Sequence, residues 1–258
     1  MGAAARGLDL FSLKDQVFVV TGASSGIGLA IAEGLASVGA IVALNSRSRE
    51  RLEARAKDIP SSFVLPFDVN DLAAGEAALA DVAKRYGRLD GLICNAGARD
   101  RRGLEAVETK DFRALVETNL VSPYHLARNA ARHMLPRGSG RIIFVTSLAG
   151  SFAMAGDIAY PATKAGLAGL VRSMAVELGP RGINVNGIAP GTVRSEMNQK
   201  IAGDPHWKDV VERSVPLKRW AEPTELAGAA IFLASAASSY VNGQILFVDG
   251  GTSILLFA

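Results

Sequence analysis

The sequence predicts a doubly wound α/β fold, one parallel sheet of seven strands with helices on both faces. Three observations predict it. Short runs rich in β-branched residues recur along the chain and are apolar at successive positions rather than alternate ones, as in strands covered from both sides. Segments of helical period separate these runs, so strand and helix alternate from the first strand onward. The first strand also leads directly into a glycine-rich turn and then a helix, the opening of a βαβ unit.

In chain order, strands are expected at 17–21, 41–45, 63–66, 91–95, 141–147, 183–188 and 245–248. Helices are expected at 26–38, 49–57, 71–86, 109–135, 157–178 and 223–234. No Pro/Ser-rich linker or run of charge offers a place to divide the chain. Residues 1–258 are therefore read as a single domain, with 1–10 as a flexible N-terminal arm, and the length suits one large α/β unit. Such sheets bind ligands in the crevice at the carboxyl ends of their strands, where the strand order reverses. Functional residues are sought just past each strand.

Composition narrows the classes. With 49% hydrophobic and 21% charged residues, the chain can bury a substantial core and lacks the signature of disorder. The net charge of +3 is dispersed along the sequence, so nucleic acid is not expected as a partner. No stretch reaches the ~18 uninterrupted apolar residues of a membrane helix. The opening, MGAAARGLDLFSLKDQ, has no apolar core of a secretory signal, so the expected compartment is the cytoplasm. Cys94 stands alone in an apolar run, 89–94, and reads as a small core residue. His125, His133 and His206 are not at metal-ligand spacing with carboxylates or cysteine, and no metal is expected.

The first strand is followed by Thr21-Gly22-Ala23-Ser24-Ser25-Gly26-Ile27-Gly28. Gly22 permits the tight turn, Gly26 lets the backbone approach a pyrophosphate, and Gly28 lets the helix pack close to the strand. The new helix offers unpaired N–H groups and a positive dipole end to phosphates. The spacing is Gly-x-x-x-Gly-x-Gly, and in this the sequence resembles the short-chain dehydrogenase/reductase family, whose fold is Rossmann-type. The resemblance extends over about residues 11–251 and places Ser24, Ser25 and Ile27 with the three glycines around the cofactor.

At the end of the second strand, an acidic side chain would accept from a ribose 2′-hydroxyl and a basic one would hold a 2′-phosphate. The chain reads Leu44-Asn45-Ser46-Arg47-Ser48-Arg49. Aligned on the family, Ser46 stands where NAD-using members carry Asp. Arg47 and the neighbouring hydroxyls suit a phosphate, so NADP(H) is expected over NAD(H). Arg47 also suits a solvated first-turn position, and Ser25 stands where NADP-using relatives often carry a second basic residue. The resemblance further implies that Asp68 and Val69 contact the adenine. It sets Asn95, Ala96 and Gly97 beside the cofactor, and Pro190, Gly191, Val193 and Ser195 at the nicotinamide carboxamide.

Ser147 closes the fifth strand, and thirteen residues later comes Tyr160-Pro161-Ala162-Thr163-Lys164. Hydride exchange at carbon needs a proton partner at the adjacent oxygen, and a phenol with a reference pKa near ~10 is a poor one at neutral pH. A lysine one helical turn away faces the same side and favours the phenolate by its charge. Tyr160 is thus the expected acid/base, with Lys164 as its electrostatic tuner and a candidate partner of the nicotinamide ribose. Ser147 can bond the substrate oxygen. Asn119 matches the family asparagine implied to hold a relay water, which completes the catalytic quartet Asn119, Ser147, Tyr160 and Lys164.

Substrate specificity is expected in the loops and in residues 196–213, read as a lid. Arg99, Arg101 and Arg102 lie just past Gly97, where a guanidinium could clamp a substrate carboxylate; a solvated loop or a subunit contact is an equal reading. Arg219-Trp220 and the run Val241-Asn242-Gly243-Gln244 resemble the gluconate 5-dehydrogenase branch, which implies a sugar acid or polyol. A 3-oxoacyl-(acyl-carrier-protein) reductase is the second reading, with Arg181 and Arg137 toward an acidic carrier. A non-catalytic dinucleotide sensor is the third. The apolar end, 254–258, is expected to pack on a neighbouring subunit, and the resemblance implies a homotetramer.

Overall fold

The computed structural model describes residues 7–153 and 155–255. Among these residues, seven strands form one parallel sheet in the order β3-β2-β1-β4-β5-β6-β7. The strands are β1 Val17–Thr21, β2 Ile41–Asn45, β3 Ser62–Val64, β4 Gly91–Cys94, β5 Gly140–Val145, β6 Ile183–Pro190 and β7 Ile245–Val248. Every residue of β1 and β4 is buried, as their unbroken apolar runs require. The order reverses between β1 and β4, which opens the crevice at their carboxyl ends.

Helices α1 Gly26–Ser37, α2 Arg49–Ala56 and α3 Leu72–Tyr86 lie in the first half, followed by α4 Thr109–Val116, α5 Ser122–Met134 and α6 Ala159–Leu178. The short α7 Gln199–Ala202, α8 Pro205–Ser214 and α9 Ala227–Ala234 complete the set. Two cores flank the sheet. One packs α3, α5 and α6 on residues such as Val19, Leu92 and Phe144. The other packs α1 and α9 on Phe18, Val20 and Ile93. Cys94 lies in the first core with its thiol near the Pro123 carbonyl, and burial pushes that thiol up, away from reactivity.

Several boundaries differ from the expectation. The helix expected over 109–135 is interrupted by a π-helical turn, Glu117–Val121, a wider turn of the kind that often marks functional sites. β5 ends at Val145, so Ser147 caps the short 3-10 turn Leu148–Gly150 instead of closing the strand. β6 runs to Pro190, pairing there with Val248. Of the expected flexible arm, residues 7–10 belong to a 3-10 turn, Gly7–Phe11, and 1–6 lie outside the described residues. Residues 256–258 of the apolar end do so too, while Ile254 is exposed. No helix among the described residues is long and apolar enough to cross a membrane.

Candidate active site

The carboxyl ends of the strands open into a cleft of about 670 Å³. Its floor begins at the glycine turn after β1. Gly22 has φ +68°, and a Cβ at Gly28 would stand 2.3 Å from the Gly22 carbonyl oxygen and 2.4 Å from Asn95 Nδ2, so only glycine closes α1 onto the strand end. Ser24, Ser25, Gly26 and Ile27 line the cleft, with Gly28 packed behind them. Asn95 ties β4 to β1: its N–H donates to Thr21 Oγ1 at 3.0 Å and its Nδ2 to the Thr21 carbonyl at 3.0 Å. Ala96 and Gly97 follow along the wall.

Ser46, Arg47 and Ser48 line the end of β2, and Asp68 and Val69 the end of the third strand segment. Buried Asn45 holds these two ends in register by donating to the Leu65 and Phe67 carbonyls at 3.0 and 3.1 Å. Pro190, Gly191, Val193 and Ser195 line the opposite wall.

At the centre, Tyr160 is the second residue of α6 and Lys164 lies one turn later, 4% exposed. Lys164 Nζ donates to the Val145 carbonyl at 2.8 Å and lies 5.6 Å from the Tyr160 ring centroid. Ser147 Oγ accepts from the Ala149 N–H at 3.1 Å and faces the same cleft. Asn119, on the π-helical turn, clasps the backbone of Ala98 with two bonds of 2.8 Å and donates to Thr163 Oγ1 at 3.1 Å. Thr163 in turn donates to the Tyr160 carbonyl. Asn119 is thereby a rigid link between the Gly97 loop and α6, and it does not itself line the cleft.

The three arginines have different fates. Arg99 lines the cleft, but its Nε donates to Asp157 Oδ2 at 2.7 Å and its guanidinium lies 4.8 Å over the Tyr160 ring. Arg101 does not line the cleft: it donates from Nη2 to Asn198 at 2.6 Å, its Nε has no partner, and burial pushes its pKa down. Arg102 corrects the expectation of a substrate contact: it bonds Asp100 and, at 2.8 Å, Asp111, and it does not line the cleft. Asp100 in its own loop and Asp111 in the first turn of α4 capture it.

Residues 196–213, read from the sequence as a lid, hold α7 and most of α8. Trp207 packs there with Val211, Val215 and Trp220, and His206 is exposed beside it. His125 does not line the cleft; its Nε2 meets the Leu72 carbonyl. Sequence reasoning missed Asp157, Thr163, Arg51 and Glu196. Only Arg51 left a signal, one helical turn after Arg47 on a predicted helix.

This arrangement can bind a dinucleotide along the strand ends, with a phenol, an ammonium and a hydroxyl grouped at one end for proton exchange. A family model described as enoyl-(acyl carrier protein) reductase, of the short-chain dehydrogenase/reductase type, matches residues 22–253. The gluconate 5-dehydrogenase of Gluconobacter oxydans is 41% identical over 96% of this chain and 98% of its own length. A 3-oxoacyl-(acyl-carrier-protein) reductase of Rickettsia bellii is 35% identical over 94% of this chain and 98% of its own. Among solved structures, a gluconate 5-dehydrogenase from Burkholderia cenocepacia in complex with NADP and tartrate superposes with a TM-score of 0.93. It is 39% identical and matches 97% of this chain and 100% of that one. The chain belongs to the short-chain dehydrogenase/reductase family and is an oxidoreductase acting on CH–OH groups with a nicotinamide dinucleotide cofactor.

Proposed function

We propose that the chain interconverts a secondary alcohol and a ketone on a sugar acid or polyol, as a gluconate 5-dehydrogenase does, with NADP(H) preferred over NAD(H). The observation that carries this is the grouping of Ser147, Tyr160 and Lys164 at one end of a cleft whose other end presents Arg47 and no carboxylate on β2. The glycine turn, Ser46, Asp68, Val69, Asn95, Ala96, Gly97 and the 190–195 wall would hold the cofactor. The nicotinamide supplies or takes the hydride. Tyr160 exchanges the proton with the substrate oxygen, Lys164 favours the charged form of the phenol and reaches the ribose, and Ser147 positions the oxygen. Asn119 fixes the Gly97 loop against α6 and organises the proton relay.

Arg99, which lines the cleft over the phenol, is the arginine placed to select a substrate carboxylate, with Arg101 on the adjoining segment. That the Burkholderia relative is described with tartrate, a hydroxy acid, supports this class. Residues 196–213 act as the lid, and the chain works as one domain in the cytoplasm. The experiment measures loss of nicotinamide absorbance with NADPH and with NADH, offering 5-keto-gluconate beside an acetoacetyl thioester. Turnover of the keto acid with NADPH is expected. Turnover of the thioester alone would replace this reading with a carrier-protein reductase, as in the Rickettsia relative, and direct attention to Arg181 and Arg137.

In the same reading the protein is a homotetramer. Two separate, partly exposed apolar patches lie on different faces among the described residues. One is Tyr124 on α5 with half-buried Leu120 and Val121 on the π-helical turn and Leu170 on α6 around it; the other is the edge strand β7, where Leu246 is exposed. A dihedral tetramer uses two distinct interfaces, and these two patches are the candidates for them. Light scattering at micromolar concentration should return four times the chain mass, and a monomer would refute this.

A further inference from the structure

Three segments remote in sequence meet at the β2 end of the cleft: the glycine turn, the first turn of α2, and the segment after Ser195. Glu196 stands at their junction. Ser25 Oγ donates to its Oε2 at 2.6 Å, and Arg51 Nη2 donates to its two carboxylate oxygens at 2.9 and 3.0 Å. The Ser25 hydroxyl first, and Arg51 second, hold this carboxyl below the usual carboxylate range. Arg51 and Glu196 are both about half exposed, at 49% and 55%. Water screens such a pair, so it costs little to open.

Arg51 also lines the cavity wall that carries Ser46, Arg47 and Ser48, and Ser48 caps its helix by accepting from the Arg51 N–H. We propose that Arg51 is a second determinant of cofactor specificity. It joins Arg47 on the 2′-phosphate, and Glu196 is the carboxylate that holds it when no such phosphate is bound. The proposal rests on the NADP(H) reading above. A phosphate monoester carries about −1.5 to −2 charges and three acceptor oxygens, more than one guanidinium neutralises, and Ser25 adds no charge from the glycine turn. The same phosphate outcompetes a singly charged, solvent-screened carboxylate for the Arg51 fork. A ribose 2′-hydroxyl offers no such competition, so Arg51 stays on Glu196 with NADH. Glu196 opens the turn Glu196–Asn198, and Asn198, which lines the cleft, accepts from Arg101. The partner that Arg51 chooses thus bears directly on the segment covering the substrate end.

The test is equilibrium binding, without turnover. Nucleotide fluorescence gives Kd for NADPH and NADH on the wild type, Arg47→Ala, Arg51→Gln and Glu196→Gln, with adenosine 2′,5′-bisphosphate and adenosine 5′-phosphate as competitors. Arg51→Gln should weaken NADPH and the bisphosphate by about tenfold, the loss of one charged hydrogen-bonding partner, and leave NADH and the monophosphate unchanged. Glu196→Gln should tighten NADPH and the bisphosphate by up to about fivefold, the release of one exposed ion pair. Weakening of NADPH by Glu196→Gln, or equal effects of Arg51→Gln on both nucleotides, overturns the proposal. If the wild type prefers NADPH and Arg47→Ala abolishes the preference while Arg51→Gln does not, the proposal fails and the NADP(H) reading stands. If the wild type binds both nucleotides alike and Arg47→Ala changes neither, both fall together.

Discussion

Tyr160→Phe should lower kcat by about 10²–10⁴-fold, the range contributed by a positioned general acid or base, while Kd for the nicotinamide cofactor stays near that of the wild type. The substitution removes one oxygen and leaves the ring. That ring is 9% exposed and packs with Leu115 and Ala159, so its apolar contacts survive and the fold is unaffected. Tyr160 lies on the first turn of α6, and the Tyr160 carbonyl is held by Thr163, which is held by Asn119. The phenylalanine ring therefore occupies the same place with nothing to exchange a proton. Stopped-flow hydride transfer and cofactor titration on the same preparation separate the two effects. A variant that keeps most of its kcat would remove Tyr160 from the proton step; one that loses cofactor affinity in proportion to rate would make it a binding residue.

The sheet and the nucleotide end of the cleft were legible because their signals are local. Runs such as Val17–Thr21 are buried on both faces, and Gly22 and Gly28 sit where backbone geometry admits no side chain. Ser147, Tyr160 and Lys164 were legible through fixed spacing. The π-helical turn at Glu117–Val121 was not, since one extra residue per turn leaves the apolar pattern of 109–135 nearly intact. Helix α8 was missed for a related reason: its apolar side covers only the small cluster of Val211, Val215 and Trp220, too few positions to establish a period. The ion pairs were illegible in principle. Arg99 meets Asp157 across 58 residues and Arg51 meets Glu196 across 145, and a charged residue in a loop reads as solvated until its partner is seen. The same blindness made Arg102 look available, although Asp100 stands two residues away.

Asp157→Ala should destabilise the protein by about 3–5 kcal/mol, the cost of leaving one member of a buried ion pair uncompensated. For a chain of this size that is a fall in Tm on the order of 10 °C. The side chains of Asp157 and Arg99 are 2% and 17% exposed, so neither solvent nor salt can replace the missing charge. Asp157 lies just before α6 and, through Arg99, holds a guanidinium over the Tyr160 ring. Its loss should therefore also lower kcat, with Arg99 free to bind elsewhere in the cleft. The double variant Asp157→Leu with Arg99→Met separates fold from chemistry. Replacing a buried pair by apolar residues of similar size is often neutral or stabilising, so Tm should return while kcat stays low, the ring having lost the cation above it. Recovery of both would make the pair purely structural. A single Asp157→Ala variant that melts with the wild type would show that the fold does not depend on this ion pair.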